Sequence, residues 1–217
     1  MKITWLGHSG FRIEIEKAVL LIDPWFTGNP VFPQDQRAAA ITGATHILIT
    51  HGHGDHAADA IAIARELKIP LVGIHELSKV LAEDGVETLG FGKGGTVSLG
   101  GADVSMVNAC HSSSVDFRND ALGVAGSETG FMIAGEDHVI YDSGDTDVMA
   151  DMAWVAILER SSASRRASAF MTVANMPMWS PCTRSIPRLA PASPLKMFPP
   201  PITMATSTLL SVNCLIS

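Results

Sequence analysis

Cysteine is scarce in this chain. Three residues (Cys110, Cys182 and Cys214) among 217 are too few and too scattered for a disulfide framework. A reducing cytoplasm is therefore the expected compartment. Long apolar runs are missing as well. None approaches the roughly 18 residues of a membrane-spanning helix, and the segment Met1–His8 carries no leader-like apolar stretch before Arg12 and Glu14. No membrane partner is expected. Basic charge is also short, with 15 Lys and Arg against 22 Asp and Glu, a net charge of −7. That balance argues against a general nucleic-acid binder, which needs a basic face to release counterions. What remains is 47% apolar and 17% charged. This composition suits one globular domain with a sizeable core.

Glycine is unevenly missing. All 19 glycines lie in the first 150 residues, and eight of the 12 prolines lie between Pro177 and Pro201. At an average usage of about 7%, a glycine-free stretch as long as residues 151–217 has a chance of about 1%. Charge changes sign too. Residues 1–150 carry 9 basic against 20 acidic residues, and residues 151–217 carry 6 against 2. Residues 161–169 are low-complexity, and residues 187–201 are too often broken by proline for a helix or a central strand. Two domains of different character are expected: a folded region over 1–152 and a poorly ordered Pro/Ser-rich tail over 153–217. The tail is read either as natural or as out-of-frame translation of a sequence that once completed the fold.

Within the first region, alternating or continuous apolar runs predict strands over 2–6, 11–16, 18–23, 45–50 and 70–74, and helices over 57–67 and 76–83. Residues 96–142 read as an antiparallel meander, with strands over 96–99, 102–109, 130–134 and 138–141. This is a sheet-rich α/β core with helices outside.

The run His51-Gly52-His53-Gly54-Asp55-His56 follows the apolar strand that ends at Thr50. It places four possible metal ligands in six residues. In extended backbone, residues i and i+2 point to one side, so His51 and His53 can reach one ion together. Gly52 and Gly54 let the loop bend sharply. Asp55 and His56 then start a helix and face a neighbouring position. Imidazole and carboxylate donors without thiolate suit Zn²⁺ first, with Mn²⁺ or Fe²⁺ as alternatives, and one or two ions bound. His8, in the turn Gly7-His8-Ser9-Gly10, reads either as a group facing substrate or as a structural hydrogen bonder. His46 reads as a buried strand histidine, Cys110 as packing inward, and Asp142 and Asp147 as turn acids. Ser112, Ser113 and Ser114 offer weak candidates for contacts to a substrate oxyanion.

The His-x-His-x-Asp-His pattern after a buried strand resembles the metallo-β-lactamase superfamily. Leu6-Gly7-His8-Ser9, Leu21-Ile22-Asp23-Pro24, Thr27-Gly28-Asn29-Pro30, His111-Ser112-Ser113-Ser114 and Gly144-Asp145-Thr146 are similar to its small metal-dependent hydrolases related to ascorbate-6-phosphate lactonases. The likeness covers residues 1–152. It implies an αββα sandwich, incomplete at the C-terminus. His51, His53 and His111 would hold a first metal, Asp55 and His56 a second, and Asp145 would bridge them, while Asp23 braces the histidine loop.

The implied activity is attack of a metal-activated water on a small ester, lactone or phosphodiester. Asp55 would orient the nucleophile and His8 would protonate the leaving group. The family pattern ends in a further histidine, but none follows His138 in this chain. Read one base earlier, codons for Ile202 to Ser207 can spell His-Tyr-x-Gly-x-Phe, a run of the family's closing type. The alternative reading is therefore an impaired or inactive metal-binding product. A di-iron redox site is a third reading, disfavoured by the all-histidine first position and by the lack of a flavin domain. Substrate identity and oligomeric state are not legible.

Overall fold

In the computed structural model, residues 1–118, 123–153 and 171–174 are described. The expected tail falls outside the described residues, apart from residue 153 and Met171–Ala174.

Six strands form the first sheet, in the order β1-β2-β3-β4-β5-β6. They are β1 (Lys2–Trp5), β2 (Phe11–Ile15), β3 (Ala18–Ile22), β4 (His46–Leu48), β5 (Leu71–Ile74) and β6 (Thr88–Phe91). The first three pair antiparallel through tight turns. From β3 onward the pairing is parallel, which requires crossovers. Helices α1 (Arg37–Ile41), α2 (Gly54–Ala57), α3 (Ala60–Leu67) and α4 (His75–Ala82) lie in those crossovers. The continuous apolar runs of β3 and β5 follow from this. Leu20, Leu21, Ile22, Leu71 and Val72 are all buried, as expected of parallel strands covered on both faces.

The second sheet runs β13-β12-β11-β8-β7. Its members are β7 (Thr96–Leu99), β8 (Ala102–Asn108), β11 (Thr129–Gly135), β12 (His138–Asp145) and β13 (Met171–Ala174). A small pair, β9 (Ser114–Val115) with β10 (Gly123–Val124), stands apart. One apolar cluster contains Ile13, Leu20 and Ile47 of the first sheet with Val104, Met106, Phe131 and Ile133 of the second. The two sheets therefore share a single core, as a sandwich requires. This is the expected α/β sandwich with mixed sheets and helices.

Some elements depart from their expected form. The helix expected over 57–67 is two, because the chain re-starts after residues 58–59. Asp59 turns away there, and its carboxylate accepts from Phe26 N, Thr27 N and Thr27 Oγ1 at 2.7–2.8 Å. β12 runs to Asp145, so Asp142 lies buried within a strand rather than in a turn. Asp147 does cap its own turn, accepting from Val148 N. His46 is only half-buried, with Nδ1 2.9 Å from Thr45 Oγ1. Cys110 is exposed instead of packed inward.

Gly144 has φ +55°, and a Cβ there would lie 2.7 Å from Thr129 O and 2.8 Å from Thr50 Cβ. Gly144→Ala should combine left-handed strain with overpacking, and lower unfolding stability by about 2–4 kcal/mol. Urea denaturation of the metal-free protein measures it.

Candidate metal centre

The expected ligands lie in the segments that follow β4 and β8 and at the end of β12, with Asp55 and His56 in the short helix α2. Asp23 follows β3 and has φ +42°. It is 1% exposed and satisfies three donors at once. Its Oδ1 accepts from Thr50 N at 2.9 Å, and its Oδ2 from Thr50 Oγ1 at 2.6 Å. Oδ2 also stands 2.8 Å from His56 Nδ1. Asp23 thus braces the histidine loop, in the role the resemblance implied.

The loop itself brings His51 Nε2 and His53 Nδ1 within 3.0 Å. The close approach needs Gly52, where a Cβ would sit 2.8 Å from Ser114 O and 3.0 Å from Ala125 Cβ. His111, in the segment after β8, completes a group whose ligand atoms, with those of His51 and His53, all lie within 4.8 Å of one another. A second such group is His8, Asp55 and His56. Asp145 ends β12 between the two: its Oδ2 is 3.4 Å from His56 Nε2 and 3.7 Å from His111 Nε2. The residues named from sequence as ligands therefore converge, and so does His8, whose Nε2 is 3.2 Å from Asp55 Oδ2. His75 and His138 take no part; the latter's Nδ1 stands against Glu136 O.

The electrostatics suit a cation. Burial pushes the His51 imidazole down to about 3, helped by repulsion from His56. His56 goes the other way. Burial opposes its charge, but Asp23 and Asp145 beside it outweigh that and raise it to about 10. The His8 contact, chief among several causes, holds Asp55 below the usual carboxylate range. The carboxylates thus favour a proton on His56, a positive charge that a bound cation would replace. His56 Nε2 and His8 Nε2 are buried and make no directed hydrogen bond among the described residues, despite carboxylate oxygens at 3.4 and 3.2 Å. Two imidazole nitrogens that stand this close to carboxylates without a directed bond are arranged as metal ligands are. The residues present fit a metal.

Several supporting residues carry no sequence signal of their own. Asp116 Oδ1 accepts from Gly54 N at 2.7 Å and pins the start of α2. Thr129 donates through both N and Oγ1 to Thr50 O, tying the second sheet to the loop. Ser9 Oγ donates to Asp145 Oδ1. Of these, only Ser9 lies in a motif already singled out. Among the serines after His111, Ser112 Oγ reaches His53 Nε2 at 3.4 Å.

Comparison with known proteins decides the family. The model of the β-lactamase superfamily domain matches residues 19–166. The chain belongs to the β-lactamase superfamily. A UPF0173 metal-dependent hydrolase of Paracoccus denitrificans (strain Pd 1222) is 67% identical over 156 residues, 71% of this chain and 67% of that one. A second, from Ruegeria pomeroyi, is 56% identical over 71% of this chain and 67% of its own length. Among solved structures, the metallo hydrolase Igni18 of Ignicoccus hospitalis is 30% identical with a TM-score of 0.61, covering 72% of this chain and 65% of that one. The diiron β-hydroxylase CmlA of Streptomyces venezuelae shares the fold at 20% identity and a TM-score of 0.55, over 72% of this chain and 32% of its own. Among the described residues, no helix is long and apolar enough to cross a membrane.

Asp23→Ala would leave a buried Thr50 N–H and a buried charged His56 without their partner. The expected cost is about 3–5 kcal/mol, with metal affinity lower by about 10–100-fold. Asp23→Asn should lose less of both. Thermal melts and competition against a chromogenic chelator measure the two effects.

Proposed function

We propose that this chain is a metal-dependent hydrolase acting on a small ester, lactone or phosphodiester. The observation that carries the reading is the convergence of His51, His53, His111, Asp145, Asp55 and His56 from separate strand exits. In it, His51, His53 and His111 hold the first ion, Asp55 and His56 the second, and Asp145 is shared. Zn²⁺ fits the donor set best, with Mn²⁺ and Fe²⁺ as alternatives. Bound ions supply Lewis acidity, which lowers the pKa of a coordinated water and polarises the substrate. The 67% identical relative named a metal-dependent hydrolase supports the same class.

The chain's own residues then have distinct tasks. Asp23 holds the His56 ring so that Nε2 faces Asp145. Asp55, half-exposed and ionised, accepts a hydrogen bond from the attacking water and orients it. His8 is held against Asp55 on one side and edge-on to Trp25 on the other, ring centroids 5.3 Å apart. From there it delivers a proton to the leaving group. The acidic catalytic region favours small molecules over nucleic acid.

One observation favours a second reading, an impaired metal-binding product: no histidine follows His138. In it, residues 1–152 are the metal-binding domain and residues 153–217 a tail from a shifted frame. Sequencing the gene across codons 155–205 separates a shifted frame from a natural tail.

The test is reconstitution with Zn²⁺, Mn²⁺ or Fe²⁺, followed by metal analysis and turnover of ester, lactone and phosphodiester panels. Bound metal with turnover of one panel is expected, and a chain that retains no metal overturns the proposal. His8→Ala should lower kcat by about 100-fold or more for poor leaving groups. For leaving groups that depart without a proton the loss should be small.

A further inference from the structure

We propose that Ser9 is a positioning residue for Asp145, and that the β1–β2 turn thereby sets the affinity of the second metal position. The inference rests on the two-position reading above.

The turn is rigid. Leu6 N donates to Gly10 O at 2.8 Å, Gly10 N to Gly7 O at 2.9 Å, and the Trp5 indole Nε1 to His8 O at 2.8 Å. His8 is held at φ +50°. Two consecutive side chains leave this turn for two different carboxylates. His8 Nε2 goes to Asp55 Oδ2, and Ser9 Oγ donates to Asp145 Oδ1 at 3.3 Å across 136 residues of sequence. Ser9 is 3% exposed, so its hydroxyl has no bulk water to turn to.

The choice of oxygen matters. Ser9 engages Oδ1, while Oδ2 stands 3.4 Å from His56 Nε2 and 3.7 Å from His111 Nε2. The terminal torsion of an aspartate is broad and roughly two-fold, so a carboxylate meant to serve two positions needs its plane fixed. At 3.3 Å the contact is long for a hydroxyl donor, and its contribution is direction more than strength. The histidines of the first position, by contrast, are arranged by their own loop and by the segment after β8.

Metal titration of Ser9→Ala, with Co²⁺ as a spectroscopic probe beside Zn²⁺, tests this. The first equivalent should bind as in the wild type, and the second about 10–100-fold more weakly, with an altered Co²⁺ d–d spectrum. Ser9→Thr keeps the hydroxyl and should restore most of the second-equivalent affinity. Melting of the metal-free variants serves as the control for folding. Equal binding of both equivalents by Ser9→Ala overturns the assignment. So does a loss of both equivalents alike, or a Ser9→Thr variant no better than alanine. A wild-type chain that takes up only one equivalent overturns the two-position reading and this assignment with it. Two equivalents in the wild type and in Ser9→Ala at equal affinity overturn this assignment alone.

Discussion

The buried carboxylate of Asp23 is the constraint on which the rest of this structure turns. It sits where β3 ends, in a left-handed conformation that a non-glycine residue adopts only under support. That support comes from Thr50 N, Thr50 Oγ1 and His56 Nδ1, all within 2.9 Å. A buried backbone N–H must be paired where a strand gives out, and here the pairing group is also the one that aims a histidine. The end of β4 and the His56 ring therefore rest on the same two oxygens. The electrostatic result is asymmetric. His51 and His56 have ring centroids 4.1 Å apart, too close for both to carry charge in a buried setting. Asp23 and Asp145 hold the charge on His56, while burial and repulsion from His56 leave His51 neutral, the form in which an imidazole can act as a ligand.

Thr50 is the second element of the same logic, because it is where the two sheets meet. Its donors go to Asp23 of the first sheet, and its carbonyl accepts from Thr129 N and Oγ1 of the second. The histidine loop begins one residue later. The joint that ties the two sheets together thus lies directly beside the histidine loop. The turn before β2 adds a third fixed point, and the loop after β8 a fourth. A centre assembled from strand exits of both sheets is complete only when the sandwich has closed.

Much of this was legible in the sequence, and the reason is physical. The strands β2 to β5 are buried on at least one face, so their apolar runs had no other explanation. Most of the candidate ligands stand just past strand ends, where a rigid sheet stops and a loop can turn inward. Pairings that depend on distant chain segments were not legible. β6 is only half-buried and carries a glycine, so it shows neither alternation nor a continuous apolar run. Asp59 and Asp116 carry no sequence signal, since their partners, Thr27 and Gly54, lie 32 and 62 residues away. Cys110 went wrong for a related reason. Residue type favours burial, but here Cys110 N and O are both taken by the 146–147 turn, from Thr146 Oγ1 and Asp147 N, and the side chain is left outside.

The placement of Asp145 shows how a small irregularity decides such a site. Along β12 the pairing with β13 runs Tyr141 with Met171 and Asp142 with Thr172, and then Asp145 with Ala174. Three steps on one strand thus match two on the other, which is the signature of a bulge. Side chains alternate with a period of two, so one extra residue reverses which face everything beyond it addresses. Asp145 is odd-numbered relative to Asp142 and would point away from it in a regular strand. Gly144, at φ +55° and packed against Thr50 and Thr129, re-aims the chain at that point. The carboxylate then meets Ser9, His56 and His111 together. Gly144 and Asp145 therefore act together: without the backbone conformation of Gly144, the Asp145 carboxylate would face the other side of the sheet.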